Sequence, residues 1–259
     1  MRATFVVLLS MILLSWLGQS SVAETLFYDD YERKELGKNY VTEYVRAVAG
    51  SPKWVVEDGV LKQTEPTGMG DSCYAIITDQ DYPAVLTIKA KVRIDSWTDG
   101  DGARTGVAVR VMLEHDGSGE GDGFTFLFHN NKSTIQFLND LKSWGVSGTY
   151  KFDTGTWYWM QLHIDKDDVL HGKVWEDGKD EPKDWMLEQD TKVGFGNFPR
   201  PEGYPALNGG ATRGGAITMS FDDVEVWDEG GSTLAEFLSV RPAGKLVNTW
   251  AKIKSLSEK

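Results

Sequence analysis

The chain has 259 residues, a formal net charge of −12 and one cysteine, Cys73. That acidic balance argues against nucleic acid and anionic membranes as partners, because both are held through clusters of Lys and Arg. A lone cysteine excludes an intrachain disulfide, and its plainest role is that of a small buried hydrophobe.

In chain order, Met1-Arg2 leads into an apolar run from Phe5 to Leu17, which ends at Gly18 and is followed by Ser21-Val22-Ala23. This is the pattern of a secretory signal cleaved after Ala23, and the run falls short of the roughly 20 apolar residues that span a bilayer. Residues 1–23 are therefore expected to be a signal peptide. The mature chain is then expected to be secreted or periplasmic, with no transmembrane segment. The remainder suits one large β domain over residues 24–229.

Trp54–Glu57 and Val60–Leu61 flank Asp58-Gly59, a pair that supplies the positive φ angles of a two-residue hairpin. Leu86, Ile88, Ala90, Val92 and Ile94 alternate with Thr87, Lys89, Lys91 and Arg93, as a half-buried strand requires. Val107, Val109, Val111 and Leu113 repeat that alternation, as do Phe124, Phe126 and Phe128, and then Ile135 and Phe137. Trp157–Trp185 reads as a strand, a turn and a second strand, with Asp177-Gly178 marking a further hairpin turn. Tyr158, Met160, Leu162 and Ile164 share one face of the first strand; Trp157, Trp159, Gln161 and His163 share the other. Asn197–Gly215, with three prolines and several glycines, reads as one long irregular connection.

In the closing strand Ile217, Met219 and Phe221 have one parity and Val224 and Val226 the other, so a bulge falls at Asp222-Asp223. Beyond Glu229 the balance turns basic, and Leu246, Trp250, Ile253 and Leu256 fall on one face of a short amphipathic helix. The expected fold is all-β: a jelly-roll β sandwich of two antiparallel sheets, with a short C-terminal helical tail over residues 230–259.

Three motifs carry a resemblance. They are Phe27–Glu32 with the Trp54–Leu61 hairpin, the aromatic segment Trp157–Trp175, and the closing Phe221–Val226. In this order and spacing the chain resembles the laminin-G-like jelly rolls of the concanavalin-A-like lectin and glucanase superfamily, over about residues 25–228. The resemblance implies fold more than function, because such folds serve lectins, adhesins, hydrolases and lyases alike.

If the first and last strands lie side by side, Asp29 and Asp30 meet Asp222 and Asp223. Hard carboxylate oxygens on irregular backbone are what calcium takes, and the resemblance implies a structural calcium between terminal strands. The four are the candidate metal ligands, and calcium the candidate cofactor.

Glycan recognition needs flat rings with polar groups beside them. On apolar parity, Arg110, His129, Gln136, Trp159, Gln161 and His163 point outward and are the candidate ligand-binding residues, forming a shelf if their strands share one sheet. Trp97, Trp144 and Trp175 are further candidates for outward rings or loops, and Tyr204 and Arg213 for the rim.

A glycosidase needs two carboxyl groups about 5–10 Å apart across a cleft. Glu114 and Glu120 are the nearest approach, and they lack the Glu-x-Asp-x-x-Glu spacing of catalytic glucanases, so no catalytic residue is assigned. The expected function is non-catalytic binding of carbohydrate or a glycosylated surface. A hydrolase or lyase of the same fold, or an adhesive module attached through the tail, are the alternatives.

Overall fold

The structure is a computed structural model that describes residues 24–42, 45–46, 52–65, 72–98, 103–113, 123–129, 133–139, 143–193, 195, 202–210 and 216–240. The strands are β1 (Thr25–Asp29), β2 (Tyr40–Val41), β3 (Val45–Arg46), β4 (Trp54–Glu57), β5 (Val60–Gln63), β6 (Ser72–Ile77), β7 (Leu86–Thr98) and β8 (Arg104–Val111). Then follow β9 (Phe124–His129), β10 (Thr134–Asn139), β11 (Ser143–Thr149), β12 (Trp157–Ile164), β13 (Val169–Glu176), β14 (Leu187–Asp190), β15 (Tyr204–Asn208) and β16 (Ala216–Trp227). One short helix, α1 (Leu234–Val240), closes the described chain.

The strands form two antiparallel sheets. The first runs β14-β13-β12-β7-β16-β5-β4, with β1 on β16 beside β5. The second runs β11-β10-β9-β8-β15-β6-β2, with β3 on β6. Between them lie the alternating apolar residues that the sequence sets on one parity. Leu86, Ile88, Ala90 and Val92 of β7, Met160, Leu162 and Ile164 of β12, and Phe124, Phe126 and Phe128 of β9 are all fully buried there. Layer spacing is set tightly where sheets meet. A Cβ on Gly172 of β13 would lie 2.9 Å from the Phe126 ring.

The expected bulge in β16 is present. Asp222 pairs with Lys91 while Glu225 pairs with Lys89, Asp223 sits at φ 47°, and Phe221 and Val224 both face the core. Asp58-Gly59 makes the expected hairpin, with both residues at positive φ. Asp177-Gly178 does not: only Gly178 takes positive φ, and the chain runs on to Met186 before β14 begins.

The connection expected over residues 197–215 contains β15, which lies in the middle of the second sheet between β8 and β6. Proline disguised it, since Pro cannot donate to a ladder and belongs at edges or bulges. Pro205 stands at a register shift, where Tyr204 pairs with Val111 but Ala206 with Ala108. The extra residue on β8 is accommodated at Arg110, at φ 54°, and this reverses the strand's parity. Val107 and Val109 enter the main core, while Val111 joins Tyr74, Ile76, Ala108 and Ala206 on the other face. Gly203 crosses beside the bulge so closely that a Cβ there would lie 2.4 Å from the Arg110 carbonyl carbon.

The ends of the body are tied together. Thr25 and Thr233 exchange reciprocal hydrogen bonds of 2.9 Å, so the chain past Glu229 stays on β1 as far as α1. The expected signal peptide, residues 1–23, and the expected tail helix over Leu246–Leu256 lie outside the described residues. Among the described residues no helix is long and apolar enough to cross a membrane.

Candidate functional site

The six residues expected to form one shelf are divided among three places. Trp159, Gln161 and His163 stand on the outer face of β12 in the first sheet. His129 and Gln136 stand on β9 and β10 in the second sheet, on the opposite side of the sandwich. Arg110 is on neither face. Its left-handed backbone turns the side chain toward the first sheet, where it is 3% exposed and donates to Asp168 Oδ1 (2.8 Å) and the Ala84 carbonyl (3.0 Å). It is a buried strut at one end of the sandwich. Asp168, in the β12–β13 turn, is partly buried, which works to raise its pKa, but Arg110 and Lys192 outweigh this and hold it below the usual carboxylate range. Single shared parity is thus insufficient for a single site; strand pairing decides it.

On the first sheet, strand neighbours crowd the aromatic rings. Trp159 lies directly opposite Trp175 on β13 and Lys91 on β7. It stacks on Trp175 (6.2 Å, 18°), carries the Lys91 and Lys89 ammonium groups at 5.0 and 5.3 Å, and donates Nε1–H to Asp177 (2.9 Å). Its ring stands between neighbours on both sides because β12 is an interior strand, so this is a packing ladder. His163 is linked to Thr87 (2.9 Å) and lies near His171 and Trp185. Burial, with the neighbouring His171 second, lowers its pKa. Trp97, expected to point outward, is buried against Phe152 (5.9 Å) because β7 slips register near Ser96.

On the second sheet an aromatic ring is available. Trp144 lies on β11, the edge strand, and is 43% exposed. One face stacks on His129 (4.2 Å, 17°), with the Arg104 guanidinium 5.6 Å from the ring centre. Arg104 and His129 are direct cross-strand partners. Gln136 completes the platform: its Nε2 donates to the Gly145 carbonyl (3.0 Å), so Oε1 faces His129 Nδ1 (3.2 Å), which carries the proton. Farther in, Tyr74 reaches across β15 and β8 to hydrogen-bond Thr125 (2.9 Å). Arg104, Tyr74 and Thr125 were not on the expected set; buried polar residues at alternate positions of β6, β8 and β9 are the trace that sequence held. Tyr204 packs beside this face, edge-on to Tyr82, and Arg213 lies outside the described residues.

The strands of the second sheet contain no Asp or Glu. In a chain of charge −12 these strands contribute only neutral and cationic side chains. Glu114 and Glu120 lie outside the described residues.

β1 does pair with β16, with Asp29 opposite Val224, the residue after Asp223. The chain's own cations already occupy Asp29 and Asp223. Asp29, 6% exposed, takes both Arg33 terminal nitrogens (2.5 and 2.6 Å), the Tyr40 hydroxyl (2.9 Å) and the Tyr31 amide (2.9 Å). Asp223 accepts from Tyr28 (2.5 Å) and pairs with Lys91 (3.2 Å). Asp222 accepts from the Asp223 amide and Asp30 from the Glu32 amide. Calcium needs six to eight oxygens free to turn toward it. Among the described residues no group of three or more His, Cys, Asp or Glu is placed to hold a metal ion, so this junction does not fit calcium.

No protein-family model matches the sequence, and no curated protein matches it. Solved structures do match in fold. A structure of endo-acting O-glycanases of the human gut microbiota that initiate mucin breakdown has a TM-score of 0.56 at 13% identity, covering 78% of this chain and 98% of that one. The GH43 protein BlXynB of Bacillus licheniformis gives 0.51 at 12% identity, and a xylan β-1,4-xylosidase of Bacillus halodurans 0.50 at 13%. Those matches cover 78% and 77% of this chain but only 39% and 38% of the other two chains. At such identities the likeness is one of fold: a two-sheet antiparallel β sandwich shared with carbohydrate-active proteins.

Proposed function

We propose that this chain is a concanavalin-A-like jelly roll, of the laminin-G-like kind, that binds carbohydrate without catalysis, outside the cytoplasm. The observation that carries the reading is Trp144, a solvent-facing indole on an edge strand, backed by His129 and flanked by Gln136 and Arg104. Flat aromatic faces take the C–H face of a sugar ring, and adjacent amide and imidazole groups read its hydroxyls. The fold-level neighbours, named for glycans, favour the same ligand class by analogy. Strands without carboxylates favour binding over hydrolysis on this face, since hydrolysis by retention or inversion uses a carboxyl pair.

A glycan array of the mature protein, run with calcium and again with EDTA, tests this. Saturable binding indifferent to EDTA, with no turnover of the bound glycan, is expected. Binding to no glycan on the array would overturn it.

A further inference from the structure

On the outer face of the first sheet the lysines that flank Gln161 are closely paired. Lys89 is set between Trp159 and Trp227 (5.3 Å from each) and against Glu225 (3.3 Å). Lys173 is held by Glu181 (2.5 Å), the Pro182 carbonyl (3.1 Å) and the Trp185 ring (4.8 Å). Gln161 lies directly between these two lysines in register, with Trp159 and His163 before and after it on the same face. It is 7% exposed, yet its carboxamide makes no hydrogen bond to the described residues. Its amide oxygen and nitrogen are not among the buried polar atoms left unbonded, so they reach solvent at the mouth of the space between Trp159 and Trp185 and are free to meet a ligand.

We propose that Gln161 floors a second saccharide subsite, walled by Trp159 and by Trp185 from the β13–β14 connection. A primary amide offers two donors and an acceptor, which matches a pair of neighbouring sugar hydroxyls. The ligand is neutral: Lys89 and Lys173 are balanced by Glu225 and Glu181, so the groups beside Gln161 have no net charge to offer an acidic sugar. It lies across the sandwich from Trp144, and it stands whether or not that platform binds.

The experiment is NMR titration of the full mature chain carrying Trp144→Ala, which silences the other face. The probes are neutral gluco-, xylo-, manno- and N-acetylglucosamine tetrasaccharides, with a galacturonic acid tetramer for contrast. At least one neutral probe is expected to shift the Gln161 side-chain amide and Trp185 indole signals with a millimolar Kd, the range of single-sugar contacts. Gln161→Leu is expected to weaken it about tenfold or more. Trp185→Ala, on a surface connection, gives the same loss without touching a strand. The proposal is overturned if no neutral probe moves the Gln161 amide, if binding survives both substitutions, or if the acidic tetramer binds more tightly.

Discussion

Replacing Arg33 with alanine probes whether the junction of β1 and β16 is locked by the chain's own guanidinium. The substitution deletes two charge-assisted bonds to Asp29 and the cation over the Tyr31 ring (5.4 Å). Each such bond is worth about 1.5–3 kcal/mol. Asp29 keeps its bonds from the Tyr31 amide and the Tyr40 hydroxyl, and Arg33 is 35% exposed, so the loss stays below the full sum. About 2–4 kcal/mol is expected, at or under the ~3–5 kcal/mol of a fully buried broken pair. For a domain of this size each kcal/mol moves Tm by roughly 2–4 °C, giving a fall of about 4–16 °C. Arg33→Lys, which keeps charge but loses the fork, should fall in between. Thermal unfolding followed by circular dichroism, in calcium and in EDTA, is the assay. Anything that binds only the folded state raises its Tm, so the wild type should melt alike in both. A calcium-dependent rise in wild-type Tm, together with an Arg33→Ala protein as stable as wild type, would refute the reasoning.

Gly172→Ala places a methyl against the Phe126 ring and should cost about 1–3 kcal/mol by overpacking, measured by urea unfolding. Cys73 is wholly buried and burial pushes its thiol well up, so it should ignore a thiol reagent in the native protein and react fully in denaturant. The lowered pKa of His163 sets the sign of a pH effect. The unfolded chain binds that proton first, so stability is whole above the free imidazole value of about 6.5 and declines as pH falls toward the folded value. His163→Gln should flatten that limb of the Tm–pH curve, and an unchanged limb would assign it to other groups.

Much of this architecture is legible in period-two patterning. The inward faces of β7, β9, β12 and β16, the Asp58-Gly59 hairpin and the Asp222-Asp223 bulge all follow from local alternation and turn chemistry. What alternation does not encode is which strands become neighbours. Trp159 and Trp144 look alike as outward-facing rings. The ladder places one between Trp175 and Lys91 and leaves the other at an edge. Arg110 is missed for a related reason: nothing in its own side chain announces a left-handed backbone, which lies against Gly203 and the register shift at Pro205, nearly a hundred residues later. The pairing of the first and last strands is legible, but the partner of Asp29 is not, because Arg33 reaches it through the turn after β1.

The edge tryptophan Trp144 carries the tight glycan recognition, and the Gln161 subsite on the interior ladder adds only a millimolar contact. Isothermal titration of the tightest array ligand against wild type, Trp144→Ala and Trp159→Ala tests it most directly. Trp144→Ala should weaken binding roughly 10- to 30-fold, about 1.4–2 kcal/mol, with an unchanged Tm. Trp159→Ala should lower Tm and leave that affinity within about twofold, less than ~0.5 kcal/mol. Undiminished binding by Trp144→Ala, with loss in Trp159→Ala, would contradict the account.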